Sequence, residues 1–128
     1  MKKILIVDDS KTARTALLNF ISKAGFVAIE AEDGLQGYQC CREHPDISLV
    51  ITDLNMPIAN GIDLLKKLMA DESTRTIPAV VLTSVGKGDA RLLTEARDSG
   101  ARGWLVKPLK ESEFEALVQK FVTPAKVA

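Results

Sequence analysis

The feature that most constrains this chain is an alternation. Five short apolar runs rich in β-branched residues are separated by stretches of helical period: "ILIV" (4–7), "FVAIEA" (26–31), "SLVITD" (48–53), "AVVLT" (79–83) and "WLV" (104–106). Four of them are continuously apolar at their centres, as strands covered on both faces of a parallel sheet are. The weaker "FVAIEA" suits a strand nearer an edge. Residues 12–24 place Ala13, Leu17, Phe20, Ile21 and Ala24 on one face and meet Gly25 as a stop. Residues 34–44 form a less regular segment around Leu35, Tyr38 and Cys41, and 61–71 carry Leu64, Leu65, Leu68 and Met69. Residues 88–99 carry Leu92, Leu93 and Ala96 before Gly100, and 112–122 carry the stripe Phe114, Leu117, Val118, Phe121. Strand and helix alternating five times predict an α/β fold, a three-layer αβα sandwich with five helices around a five-stranded parallel sheet.

With 128 residues, 46% of them hydrophobic, the chain can fill one core. No repeat or low-complexity linker interrupts it. One domain over 1–122 is expected, with 123–128 ("TPAKVA") a frayed tail and no output domain. Lys plus Arg and Asp plus Glu both number 17, which argues against a nucleic-acid partner. The apolar run after "MKK" is too short for a signal peptide, and no stretch approaches membrane-spanning length. A soluble, cytoplasmic, monomeric protein without a membrane partner is expected. The adjacent Cys40 and Cys41 read as free thiols that pack a helix. His44, the single histidine, reads as a surface or capping residue before Pro45.

In open α/β sheets, ligands bind beyond the carboxyl ends of the strands. Asp8 and Asp9 follow the first run and Asp53 ends the third. The fourth leads into Thr83 and Ser84, and the fifth into Lys107. Singly, these residues have ordinary readings: Asp8, Asp9, Thr83 and Ser84 as caps, Lys107-Pro108 as a turn, Trp104 as core. Together they place three carboxylates, a hydroxyl and an ammonium on one edge. Three close carboxylates repel, so they protonate or recruit a cation. Mg²⁺ (or Mn²⁺) is the natural ion where a phosphoryl group completes the shell. Lys107 and Thr83 suit phosphoryl oxygens, and a carboxylate can be the nucleophile. Asp53 stands alone on a central strand and is assigned that role, with Asp8 and Asp9 as metal ligands. Pro57 and Gly61, which follow Asp53 closely, are assigned as loop-shaping residues.

The motifs "ILIVDDS" (4–10), "ITDLNMPIANG" (51–61), "VVLTS" (80–84) and "GARGWLVKP" (100–108), in this order, resemble those of response-regulator receiver domains of two-component signalling, of the single-domain chemotaxis type. The resemblance runs from Lys3 to about Phe121. It implies a flavodoxin-like sheet of order 2-1-3-4-5. It implies that Asp53 accepts a phosphoryl group from a phosphohistidine on a sensor histidine kinase or a histidine phosphotransfer protein. Asp9, Asp53 and the backbone carbonyl of Asn55 would hold Mg²⁺, with Asp8 assisting through water. Thr83 and Lys107 would hold the phosphoryl oxygens. Thr83 and Trp104 would then act as the switch, and Pro108 would shape the loop after the lysine in the form such domains use, often through a cis Lys107–Pro108 bond.

A downstream protein would bind the face formed by the fourth helix, last strand and last helix, residues 88–122, where Arg91, Arg97, Arg102 and Lys110 add positive charge. The family usually has Tyr or Phe where this chain has Trp104, whose larger indole needs an N–H partner when buried. Val85 offers no hydrogen bond to an attacking water, so slow self-dephosphorylation is expected. Such a protein is a signalling domain whose only chemistry is its own phosphorylation and dephosphorylation. A phosphorelay shuttle, a phosphate sink and a degenerate, constitutive binding module are the alternatives within the family. Outside it, a haloacid-dehalogenase-type phosphatase would need an acid where Asn55 stands. A flavodoxin-like carrier would not place "DDSKTA" against a flavin phosphate.

Overall fold

Parallel pairing joins all five apolar runs into one sheet, in the order β2-β1-β3-β4-β5. The computed structural model describes residues 2–54, 56–83 and 90–122. The expectations for Asn55, Ser84, Val85 and the tail 123–128 lie outside these described residues. In chain order the elements are β1 (Lys3–Val7), α1 (Lys11–Lys23), β2 (Val27–Ala31), α2 (Gly34–Glu43) and β3 (Ile47–Asp53), then α3 (Gly61–Ala70), β4 (Ala79–Thr83), α4 (Ala90–Asp98), β5 (Trp104–Val106) and α5 (Glu111–Phe121). Each agrees with the sequence expectation to within two residues. Among the described residues, no helix is long and apolar enough to cross a membrane.

Strand alternation divides the core into two layers. Leu5, Val7, Val50 and Val81 face Leu64, Leu65, Leu68 and Ala96 of α3 and α4. Ile4, Ile6, Leu49, Ile51, Val80 and Leu82 face Leu17 and Ile21 of α1 and Phe114, Leu117 and Val118 of α5. Because β1, β3 and β4 are sandwiched this way, their runs carry no polar alternation. β5 departs from that pattern. Like β2 it is an edge strand, and Trp104 and Val106 are 50% and 52% exposed. Met69 and Leu35, expected on core faces, are also exposed. Cys40 and Cys41 are free thiols, and burial pushes the Cys41 thiol up to about 12, which leaves it unreactive.

Helix starts and stops follow local chemistry. The Ser10 side chain accepts from Ala13 N–H and caps α1, so neither Asp8 nor Asp9 is spent as its N-cap. Asn60 and Asp63 form a reciprocal capping box on α3. Gly25 (φ +88°) and Gly100 (φ +122°) follow α1 and α4 in the left-handed region, as expected of stops.

Between β3 and α3 the chain makes a three-residue turn, with Ala59 N–H donating to the Pro57 carbonyl at 2.6 Å. Its central residue, Ile58, has φ +65° and is 82% exposed. A β-branched residue is strained at positive φ. Ile58→Asn is therefore expected to stabilise the protein by about 1 kcal/mol, read as a higher urea midpoint at unchanged slope. An unchanged or lower midpoint would mean the turn carries no strain.

Candidate functional site

The carboxyl ends of β1, β3, β4 and β5 deliver their residues to one edge because the strands are parallel and in register. Asp53 pairs across to Leu82, and Thr83 to Val106. Lys107 N–H donates to the Thr83 carbonyl at 2.8 Å, fixing the lysine directly beyond that edge. The loop turns through a cis Lys107–Pro108 bond, as the resemblance implied.

The Lys107 ammonium bridges two carboxylates, lying 2.8 Å from Asp8 Oδ2 and 3.3 Å from Asp53 Oδ2. The other oxygens of these carboxylates are also engaged. Ser10 N–H donates to Asp8 Oδ1 at 2.9 Å, and Leu54 N–H donates to Asp53 Oδ1 at 2.8 Å. Asp8 is 2% exposed and Thr83 1%, while Asp9 is open to solvent. Gly61 sits against the acceptor strand: a Cβ there would collide with the Asp53 carbonyl oxygen, which accounts for a glycine at the start of α3. Pro57 leads into the Ile58 turn.

Burial raises the Asp53 carboxyl above its ordinary value; Lys107 opposes this and the Asp8 charge adds to it. For Lys107, burial favours the neutral amine, but the hydrogen bond to Asp8 and the two negative charges outweigh it and raise its affinity for the proton. Lys107 therefore stays charged in its place between the Asp8 and Asp53 side chains.

One oxygen each from Asp8, Asp9 and Asp53 lie within 4.8 Å of one another. A set of hard oxygen donors with more negative charge than Lys107 neutralises fits a divalent cation of the Mg²⁺ type. The structure thus brings together Asp8, Asp9, Asp53, Thr83 and Lys107. Trp104 is not part of this cluster. Its indole lies outside, where Leu93, Thr94, Arg97 and Trp104 line a shallow groove of about 140 Å³.

One residue at this edge escaped the sequence reading. Arg14, on α1, is 8% exposed, and its guanidinium donates to the Asp8 carbonyl at 2.7 Å and to Glu30 Oε1 at 2.8 Å. Its signal was a charged residue on the helical stripe shared with Leu17 and Ile21.

Comparison with known proteins places these features in context. The family model for the response regulator receiver domain matches residues 4–119. The chain is 39% identical over 107 residues to chemotaxis protein CheY1 of Helicobacter pylori, covering 83% of this chain and 85% of that protein. Among solved structures, Vibrio cholerae chemotaxis protein CheY4 superposes with a TM-score of 0.85 at 27% identity, covering 95% of this chain and 99% of that one. The Borrelia burgdorferi CheX–CheY–BeF₃–Mg²⁺ complex matches with a TM-score of 0.82 at 28% identity, over 93% and 87% of the two chains.

Proposed function

The chain belongs to the response regulator receiver domain family, which serves phosphoryl-accepting signalling, and from that premise we propose that Asp53 is its phosphoryl acceptor. The observation that carries this reading is the Lys107 ammonium held between Asp8 and Asp53, with Thr83 ending the adjacent strand.

In the forward step an Asp53 carboxylate oxygen bonds to the phosphorus of a partner's phosphohistidine. The N–P bond breaks, and the imidazole nitrogen keeps the electron pair and later takes a proton from solvent. The product is an aspartyl phosphate. Lys107 shifts its charge onto the transferred phosphoryl oxygens, and the Thr83 hydroxyl donates to one of them. Asp8, Asp9 and Asp53, with the Asn55 carbonyl, would hold Mg²⁺, which when bound neutralises charge on the phosphoryl group. A related CheY solved with BeF₃ and Mg²⁺ supports that choice of ion. In the reverse step water attacks phosphorus and the Asp53 carboxylate leaves.

The output is a change in partner affinity on the 88–122 face. Phosphorylation draws Thr83 toward the phosphoryl group, and the Trp104 indole, which rests outside over α4, moves into the space it leaves. Arg97 in the same groove gives this face a cation to offer a partner.

The test is intact mass after incubation with Mg²⁺ and acetyl phosphate. A single phosphoryl adduct, absent when EDTA replaces Mg²⁺, is expected. No adduct, together with no change in Trp104 fluorescence on adding beryllofluoride and Mg²⁺, would overturn the reading.

A further inference from the structure

We propose that Arg14 is a positioning residue for the cation site, acting through the peptide that joins Asp8 to Asp9. The inference rests on the reading of those two aspartates as cation ligands.

Asp9 is exposed, and no described hydrogen bond holds its carboxylate. Its place beside Asp8 and Asp53 must therefore come from its backbone. The carbonyl that Arg14 Nη1 holds at 2.7 Å is that of Asp8, and its peptide nitrogen is that of Asp9. On the other side, Asp8 N–H donates to the Ala31 carbonyl at 3.0 Å. The residue is thus tied at both backbone polar atoms, to β2 through its N–H and to α1 through its carbonyl. Rotation of the Asp8–Asp9 peptide, which would swing the Asp9 side chain out of the cluster, requires breaking the buried Arg14 bond.

Glu30 completes the device. It lies on β2 opposite Ile6 of β1, and its Oε1 accepts from Arg14 Nε at 2.8 Å. A guanidinium can serve both acceptors at once because its N–H groups point in fixed, separate directions. The Glu30 carboxylate also supplies the counter-charge that a nearly buried arginine requires. A lysine at 14 would keep the charge but could not span both partners with the same rigidity.

The proposal predicts a sign opposite to that of plain electrostatics. Arg14 adds a positive charge near an acidic set, so by charge alone its removal should tighten cation binding. If its role is to hold the peptide, removal should loosen binding. Groups that orient metal ligands from behind typically change affinity by about 10–100-fold when lost. The experiment is a Mn²⁺ titration followed by the electron paramagnetic resonance of the free ion. It uses the full chain as wild type, Arg14→Met, Arg14→Lys and Lys11→Met, each checked for native circular dichroism. About tenfold weaker binding is expected in both Arg14 variants, with Lys11→Met, which loses an exposed cation from the same helix, unchanged or tighter. Arg14→Lys retains the charge and carries the test should Arg14→Met fail to fold. Wild-type affinity in the folded Arg14 variants, or tighter binding, overturns the positioning role while leaving the cation site intact. Absence of Mn²⁺ binding by wild type itself overturns the cation reading and this inference with it.

Discussion

Asp53→Asn is expected to abolish the phosphoryl adduct and, in the same molecule, to raise the stability of the metal-free fold. The first effect follows from chemistry: a carboxamide oxygen is too weak a nucleophile to form the acyl phosphate. The second follows from the surroundings of the carboxylate. Burial raises the Asp53 carboxyl above its ordinary value, and the nearby Asp8 charge adds to this against the pull of Lys107. The folded protein therefore holds the Asp53 proton more tightly than the unfolded chain does. The stability this group contributes is fully present below the ordinary carboxyl value of about 3.9. It is lost as pH rises through the elevated native value. At neutral pH the ionised side chain opposes folding, and asparagine of the same shape removes that opposition while keeping an acceptor for Leu54 N–H. Lys107 retains Asp8 as its partner. A gain of about 0.5–2 kcal/mol is expected, measured by urea unfolding in EDTA at neutral pH. The difference from wild type should shrink as pH falls through the native value toward the ordinary one. A variant less stable than wild type at neutral pH would mean that the Lys107 attraction, and not burial, dominates at Asp53. A phosphoryl adduct on the variant would place the acceptor elsewhere.

The site was legible in the sequence because a parallel sheet sends every strand's carboxyl end to the same edge. Residues following apolar runs, namely Asp8, Asp53, Thr83 and Lys107, then converge without any knowledge of side-chain contacts. Strands and most helix faces were legible because short continuous apolar runs and the 3.6-residue period are both local signals. What was hidden depends on pairing across the fold. Asp8 and Asp9 look equivalent in the string "VDDS", yet one is buried against Lys107 and the other is open to solvent. Arg14 finds Glu30 only because β2 lies beside β1. "WLV" reads the same in the middle of a sheet as at its edge, so the exposure of Trp104 and Val106 appears only once β5 is seen to have no outer neighbour. Ile58 contradicts its local rule outright: the turn places positive φ on a β-branched residue, where Asn60 or Gly61 would have been the local choice.

Lys107→Met should produce the largest loss of stability of any single change at this edge. Methionine approximates the length of lysine and packs where it packed, so the change isolates the charge. In the wild type, the hydrogen bond to Asp8 and both carboxylates hold the ammonium charged despite burial. With its native affinity for the proton raised, Lys107 contributes fully below the ordinary lysine value, about 10.4, wherever its carboxylate partners are ionised. That contribution is lost as pH rises through the raised native value, so neutral pH tests it at full strength. Without it, Asp8 and Asp53 face each other with no cation between them, and Asp8 is almost wholly cut off from water. Removing one partner from a buried ionic group costs about 3–5 kcal/mol, and the partial exposure of Lys107 places the expected loss near the lower end. Two agents should restore what the substitution removes. Lowering the pH protonates a carboxylate and ends the repulsion. A divalent cation takes the place of the ammonium, and having no lysine to compete with, it should bind the variant more tightly than wild type. Stabilisation by a ligand grows with its concentration over its Kd, so Mg²⁺ should raise the urea midpoint of Lys107→Met further than that of wild type. Equal stability of the two proteins in EDTA would show that water, not Lys107, neutralises the carboxylates. An equal response to Mg²⁺ would show that lysine and cation occupy separate parts of the edge. The expected pattern has the opposite meaning: the resting lysine is a placeholder that keeps the carboxylates assembled until a metal ion and a phosphoryl group arrive, and its charge is then free to turn to the phosphoryl oxygens.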